Sequence, residues 1–177
     1  MKAIKKLLVI ILGLVVVLVA ASFFLPASYR VERSVTFNAQ PKAIYPWIVN
    51  PAKWPQWTVW TTNRDATVQF TTSGPESGAG ASYQWTGEKM GIGRLTLTRA
   101  EPDRGIWYDL DFEEGKYLSR GGITFETMGE TTQVTWFNGG QLGANPIGRY
   151  WGLAMDRMIG PDFAEGLEHL KRIVEAR

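Results

Sequence analysis

Apolar and polar residues alternate along most of the chain after residue 28. The segment YRVERSVTFNA, residues 29–39, has this period of two, which predicts a strand. In NAQPKAIYPWIV apolar residues follow a proline at helical spacing, which predicts a short helix, and PAKWPQW predicts a second short helix or turn. From Ala66 onward, six further alternating segments are separated by glycine-rich turns. These segments predict a run of antiparallel strands.

The last part of the chain returns to a helical period. One apolar stripe is formed by Phe163, Leu167, Leu170 and Val174. We expect Gly160 and Pro161 to kink or interrupt this helix, because proline removes a backbone donor and clashes with the preceding turn. The predicted order is one strand, two short helices, six strands and one long helix.

The N-terminal segment has neither pattern. Three lysines, at positions 2, 5 and 6, precede an uncharged apolar run from Leu7 to Leu25. As a helix this run reaches roughly 28 Å, close to the thickness of a bilayer core, whereas a signal-peptide core is usually about 7–15 residues long. We therefore expect residues 1–26 to be a transmembrane anchor, with a cleaved signal peptide as the alternative. The lysines predict a cytoplasmic N-terminus and a globular part on the periplasmic or extracellular side.

Composition and charge argue against several classes of function. The chain has no cysteine, which rules out disulfides, thiolate metal sites and cysteine nucleophiles. Without the lysines of the anchor, the formal charge falls from +2 to about −1, so a role in nucleic-acid binding loses its support. His169 is the single histidine and lies outside the apolar stripe, so we expect neither a catalytic triad nor a histidine metal site. The sequence predicts no cofactor and no metal.

The order of elements resembles the helix-grip architecture of the START-like (SRPBCC) superfamily, in particular a membrane-anchored member of its polyketide cyclase/dehydrase and lipid-transport family. The resemblance covers about residues 29–175 and is carried by RSVTFNAQPKAIYPWIVNPAKWPQW, GAGASYQWTGEKMGIGRLTLTRAEPDRGIWYDLDF, TTQVTW and GPDFAEGLEHLKRIVE. It implies an α+β fold for residues 27–177. In this fold a seven-stranded curved antiparallel sheet wraps around a long C-terminal helix, and two short helices follow the first strand.

The resemblance also implies a binding site. In helix-grip proteins the space between sheet and long helix is often an apolar cavity, so inward-facing residues are candidates for ligand contact, with core filling as the alternative. The ligand-cavity candidates are Trp57, Trp60, Tyr83, Trp85, Leu97, Tyr108, Leu110, Phe125, Trp136, Met155, Met158 and Ile159. Arg33 is the one charge on the inward face of the first strand, where it either reaches the rim or binds the acidic head of a ligand.

Four of the eight tryptophans lie within residues 46–60, at positions 47, 54, 57 and 60. Three interpretations remain open. The rings fill the core, line the mouth of a ligand cavity, or form a belt at a membrane interface.

The favoured hypothesis is a membrane-tethered domain that binds a small hydrophobic or lipid-like ligand, with access near the tryptophan-rich segment and the expected kink at Gly160 and Pro161. One alternative is a polyketide cyclase/dehydratase-like enzyme, for which Tyr83, Tyr108 and Arg33 are the candidate acid or base groups. The other is a protein-interaction module that presents the tryptophan segment or the outward-facing Trp107 to a partner. The residues do not identify a protein partner.

Overall fold

The architecture is one sheet flanked by helices. The computed structural model describes residues 2–143 and 145–176. The elements are α1 (Lys2–Ser22), β1 (Ser28–Phe37), α2 (Pro41–Ile48), a 3₁₀ helix (Pro51–Gln56), β2 (Gln69–Ser73), β3 (Ser82–Gly87), β4 (Gly91–Glu101), β5 (Gly105–Phe112), β6 (Tyr117–Met128), β7 (Thr131–Gln141) and α3 (Pro146–Glu175). This is the predicted order, and the α+β helix-grip prediction is confirmed.

The seven strands form a single antiparallel sheet in the order β1-β7-β6-β5-β4-β3-β2. Strands β2 to β7 each pair with their neighbour in sequence, and β1 pairs with β7. The register aligns inward-facing residues in rows across the strands. One row contains Tyr83, Leu95, Leu110, Ser119, Gly140 and Tyr29. The next row contains Leu97, Tyr108, Gly121, Asn138 and Val31.

Helix α3 lies alongside β1 and runs in the same direction. In the middle of both elements, Arg33 pairs with Asp156 at 2.7 Å. At their ends, the backbone N–H of Asn38 donates to the Glu175 carboxylate at 2.7 Å. These contacts fix the direction of α3 along the first strand.

The two halves of α3 differ in how deeply they are buried. The helix is continuous through Gly160 and Pro161, so the expected interruption there is wrong. Packing against β1 and the core continues on both sides of the proline, which keeps the helix in one piece. Its fully buried residues are Gly160, Phe163, Gly166, Leu167, Leu170 and Val174. The N-terminal half, residues 146–159, contributes none of them.

Helix α1 packs against the start of α3. It is the one helix in the described part of the chain that is long and apolar enough to cross a membrane, with a mean hydropathy of 2.7. The Arg149 guanidinium donates to the carbonyl oxygens of Ser22, Phe23 and Leu25 at 3.2, 3.2 and 3.3 Å. The last carbonyls of a helix have no partners within it, and the helix dipole favours a cation there. Arg149 therefore joins α3 to the end of α1.

Candidate functional site

Two of the clustered tryptophans fill the core. Trp54 and Trp57 are 4% and 0% exposed, and their ring centroids lie 5.3 Å apart. Their indole N–H groups donate to the carbonyl oxygens of Ile48 and Trp47. Core filling is thus the role of both rings in this structure, and the membrane-belt interpretation is wrong for them.

Trp136 lies at the centre of the aromatic cluster. Its ring stacks on Phe163 of α3 with centroids 4.2 Å apart. The rings of Trp57 and Trp60 pack edge-to-face with the same indole, with centroids 5.2 and 5.5 Å from its centroid. Aromatic rings therefore fill the space between the sheet and the C-terminal half of α3.

A group of hydrogen-bonded polar side chains lies on the inward face of the sheet, in contact with the aromatic cluster at Trp136. Trp136 Nε1 donates to Tyr108 Oη at 3.0 Å, and Tyr108 Oη donates to the Phe137 carbonyl at 3.4 Å. On the neighbouring strands, Tyr29 Oη donates to Asn138 Oδ1 at 3.2 Å. These contacts fix the phenols and the amide on an otherwise apolar surface.

Two buried polar atoms on this face have no hydrogen-bond partner among the described residues. They are Tyr83 Oη and Asn138 Nδ2, in residues that are 8% and 2% exposed. Burial raises the pKa of Tyr83. Burial also raises the pKa of Tyr108, against smaller opposing effects of Trp136 and Asn138. Both phenols are therefore protonated at neutral pH, and the hydroxyl of Tyr83 is available as a donor.

The remaining ligand-cavity candidates divide into three groups. Leu97 is fully buried. Six are partly buried and pack against the core, namely Trp60, Trp85, Leu110, Phe125, Met155 and Ile159. Met158 is 51% exposed, because the helical period turns it to the outer face of α3 while Met155 and Ile159 face the sheet. The structure brings the other candidates to one side of the sheet and leaves Met158 outside.

Glycines make room for two of the candidate rings. A Cβ atom at Gly93 would overlap the indole of Trp85, which lies over that strand. A Cβ atom at Gly121 would overlap the phenol of Tyr108. Both glycines thus allow a large ring to lie flat on the neighbouring strand.

Arg33, the predicted polar contact, already has a partner in the protein. Its guanidinium donates to both oxygens of the Asp156 carboxylate, at 2.7 and 3.0 Å. The hydrogen bond and charge of Arg33 lower the pKa of Asp156. The guanidinium lies against Gly160, where a Cβ atom would overlap it. Arg33 therefore ties β1 to the middle of α3.

Two surface depressions lie away from the inward face. One, of about 240 Å³, is lined by Ile147, Tyr150 and Trp151 of α3. The other, of about 90 Å³, is lined by residues of the 3₁₀ helix and the β2–β3 hairpin. Neither of these two depressions is lined by a ligand-cavity candidate.

Sequence reasoning missed several residues of the site. Tyr29 and Asn138 are polar and were not expected on the inward face. The signal was present for Asn138, since it continues the alternation of Val134 and Trp136 by one further step.

Asp65 was also missed and organises the loop that follows Trp60. The buried carboxylate accepts hydrogen bonds from the Thr67 amide and hydroxyl, at 2.9 and 2.6 Å. It also accepts from the backbone amides of Lys89 and Met90 at 2.8 and 2.9 Å. These hydrogen bonds, that of the Thr67 hydroxyl foremost, hold the pKa of Asp65 well below its usual range. Asp65 thereby joins the loop to the β3–β4 turn.

The other titratable residues are not grouped into a possible metal site in the part of the chain that the structure describes. Within residues 2–143 and 145–176, no group of three or more His, Cys, Asp or Glu side chains is arranged to hold a metal ion. His169 lies 3.6 Å from the Glu165 carboxylate on the surface of α3. Trp107 faces outward, with the Arg99 guanidinium 4.6 Å from its ring centroid.

A curved antiparallel sheet around a long C-terminal helix, with an aromatic inward face, defines the helix-grip class of ligand-binding folds. The sequence model of the family described as polyketide cyclase / dehydrase and lipid transport matches residues 28–175. The chain belongs to that family. A search of curated proteins finds no match.

Solved structures give the same fold. Protein MLL2253 from Mesorhizobium loti is similar with a TM-score of 0.59 at 10% identity, over 83% of this chain and 97% of that one. Aha1 from Colwellia psychrerythraea, described as a dimer, gives 0.58 at 15% identity, over 82% and 96%. DynU16, from the dynemicin biosynthetic locus, gives 0.57 at 16% identity, over 82% and 47%. At these identities the likeness shows the fold alone.

Proposed function

We propose that this chain is a membrane-tethered domain that binds a small hydrophobic or lipid-like ligand between the sheet and α3. The observation that carries the proposal is the buried Tyr83 Oη, which has no hydrogen-bond partner among residues 2–143 and 145–176; Asn138 Nδ2, whose side chain faces Tyr108, is a second such atom. An unpaired buried polar group costs about 1–3 kcal/mol, which a polar atom of a ligand would offset. The aromatic and aliphatic surface around them fits the rest of an amphipathic molecule.

The positions of the two atoms bear on the shape of the ligand. Tyr83 is on β3 and Asn138 is on β7, four strands apart in the sheet. Four strand spacings amount to roughly 19 Å along a sheet, and curvature shortens the direct path. A ligand that reaches both groups is therefore elongated, as acyl and isoprenoid-like chains are.

We propose that the ligand enters beneath the N-terminal half of α3, residues 146–159. Rings of Trp136 and Phe163 close the space under the other half. The N-terminal half has no fully buried residue, and a segment with few buried contacts opens at a lower free energy than the core does. This proposal moves the access from the tryptophan-rich segment to the end of the sheet near α1.

Binding is favoured over catalysis by the state of the polar groups. A cyclase or dehydratase needs a general acid or base beside its substrate. The raised pKa values of Tyr83 and Tyr108 make both phenols poor bases near neutral pH. Arg33 is engaged by Asp156. The inward face is thus better suited to hold a ligand by hydrogen bonds than to exchange protons with it.

Native mass spectrometry of the full chain, released from detergent before and after organic extraction, tests the binding proposal. We expect a reproducible added mass that extraction removes. Tyr83→Phe should lower its occupancy, and Tyr117→Phe, which removes an exposed phenol, should not. An unliganded mass in every preparation, unchanged after incubation with a lipid panel, would contradict the proposal and favour the interaction module.

The tether is the second part of the proposal. It is supported by the apolar length of α1 and by Tyr150, whose hydroxyl donates to the carbonyl oxygen of Leu18 in that helix. Cleavage before Ser22 would remove this contact. We expect the chain isolated from membranes to resist carbonate extraction, to retain its N-terminus, and to be digested by protease added outside the cytoplasmic membrane. A mature N-terminus near Ser22 would instead identify a signal peptide.

A further inference from the structure

The outer face of α3 changes character at Gly160. In the N-terminal half it is apolar, and we call the residues that form it the α3 stripe: Ile147, Tyr150, Trp151, Ala154 and Met158. The exposed fractions of Ile147 and Trp151 are 69% and 57%. In the C-terminal half, the same face carries Glu165, Glu168 and Arg172 instead. An exposed apolar surface that ends where charges begin is typical of a contact surface.

The position of the α3 stripe beside α1 indicates what covers it. Tyr150 Oη donates to the carbonyl oxygen of Leu18 at 2.8 Å. Arg149, one residue earlier, donates to the carbonyl oxygen of Ser22, the last residue of α1, and to those of Phe23 and Leu25 just after it. The stripe therefore begins at the level of the last turns of the apolar helix. Residues at the level where a helix leaves a bilayer meet the lipid headgroups, where tyrosine and tryptophan are enriched.

The sheet contributes to the same surface. Ser28, the first residue of β1, pairs with Gln141, and Gly140 pairs with Ser119 near the start of β6. The β5–β6 turn therefore lies at the end of the sheet nearest α1. Tyr117 and Leu118, which follow this turn, are 56% and 65% exposed. The Lys116 ammonium lies 5.1 Å from the ring centroid of Tyr117, a combination that suits a membrane interface.

We infer that the α3 stripe is a membrane-contact surface that rests in the headgroup region of a lipid bilayer beside α1. The inference rests on the proposed tether and adds to it the orientation of the domain, with the end of the sheet near α1 turned toward the membrane. Lipid is the occupant that fits, because the stripe continues the surface of an apolar helix and its five residues carry no charge, with the exposed Arg157 only at its edge. A protein partner or a second copy of the chain is the competing occupant.

Single-cysteine labelling tests the inference on the full chain, which has no natural cysteine. The variants are Trp151→Cys in the stripe, Glu168→Cys on the same face beyond Gly160, and Leu12→Cys in α1. Each carries a nitroxide label and is reconstituted into phosphatidylcholine vesicles. Electron paramagnetic resonance then compares collisions of the label with oxygen, which concentrates in lipid, and with a water-soluble nickel chelate. Ile147→Cys repeats the measurement at a second position of the stripe.

We expect the oxygen-to-nickel ratio at positions 151 and 147 to be several-fold higher than at 168 and to approach the ratio at 12. A ratio at 151 and 147 equal to that at 168, with a lipid-like value at 12, would overturn the inference and leave the tether intact. A label at 151 that is shielded from both reagents would show that protein covers the stripe, which also overturns it. A water-like value at 12 would refute the tether itself, and the inference with it.

Discussion

Removing the hydroxyl of Tyr83 in one variant and that of Tyr108 in another distinguishes a proposed ligand-binding group from a structural one. Tyr83 Oη is buried without a partner, whereas Tyr108 Oη accepts from Trp136 Nε1 at 3.0 Å. Removing an unpaired buried hydroxyl also removes its desolvation cost. The free energy of unfolding of the ligand-free Tyr83→Phe variant should therefore equal that of the wild type or exceed it by up to about 1–3 kcal/mol. Tyr108→Phe leaves the Trp136 N–H unpaired and should lose about 1–3 kcal/mol.

Thermal unfolding of the ligand-free, detergent-solubilised protein measures the change in stability of both variants. For a domain of this size 1 kcal/mol corresponds to about 2–4 °C in the unfolding midpoint, so the two variants should move in opposite directions. Ligand occupancy should respond differently, because Tyr83→Phe removes the proposed hydrogen bond to the ligand and should weaken binding by up to about tenfold. A Tyr83→Phe midpoint lowered as far as that of Tyr108→Phe would show that the Tyr83 hydroxyl has a partner without ligand, and the reasoning would fail.

Three further predictions follow from other contacts. The lowered pKa of Asp65 means that its contribution to stability is present above the unfolded-state value of about 4 and is lost as pH falls through the folded-state pKa. The Asp65→Asn variant should therefore have a lower free energy of unfolding at pH 7, and this free energy should fall less steeply below pH 4 than in the wild type. An acid-unfolding curve identical to that of the wild type would refute this. Gly121→Ala should displace the Tyr108 phenol and lower the unfolding midpoint, whereas Gly13→Ala, where no atom lies within 4 Å of the added Cβ, should not lower it. Amide hydrogen exchange should be faster at 146–159 than at 160–175, and equal protection would argue against the proposed opening.

The sheet was predictable because one of its faces is consistently apolar. Alternation in segments such as GIWYDLDF assigns Tyr108 and Leu110 to the inward face without any knowledge of the partner strands. The same alternation also places Tyr29 and Asn138 on the inward face, but it does not indicate what these polar side chains do there. Their role depends on a hydrogen bond between strands that are far apart in sequence.

The helix was harder to interpret at the level of single residues. The apolar face from Phe163 to Val174, which packs on the core, was evident in the sequence because charged residues flank it. Residues 146–159, in contrast, are apolar on more than one face. Met155 and Met158 therefore looked equivalent in the sequence, and the contact with β1 and the core separates them. The role of Arg149 was not predictable, because its partners are backbone carbonyls more than a hundred positions away.

The connection between α1 and β1 limits how far the domain travels. Only residues 23–27 separate Ser22 from Ser28, and even fully extended they would span roughly 20 Å. Arg149 shortens this reach by holding the connection against α3. Under the proposed tether, a domain held in this way would stay close to the bilayer that α1 crosses and would not carry a ligand to a distant membrane. A molecule bound by it would then come from, or pass to, something that approaches the same membrane surface.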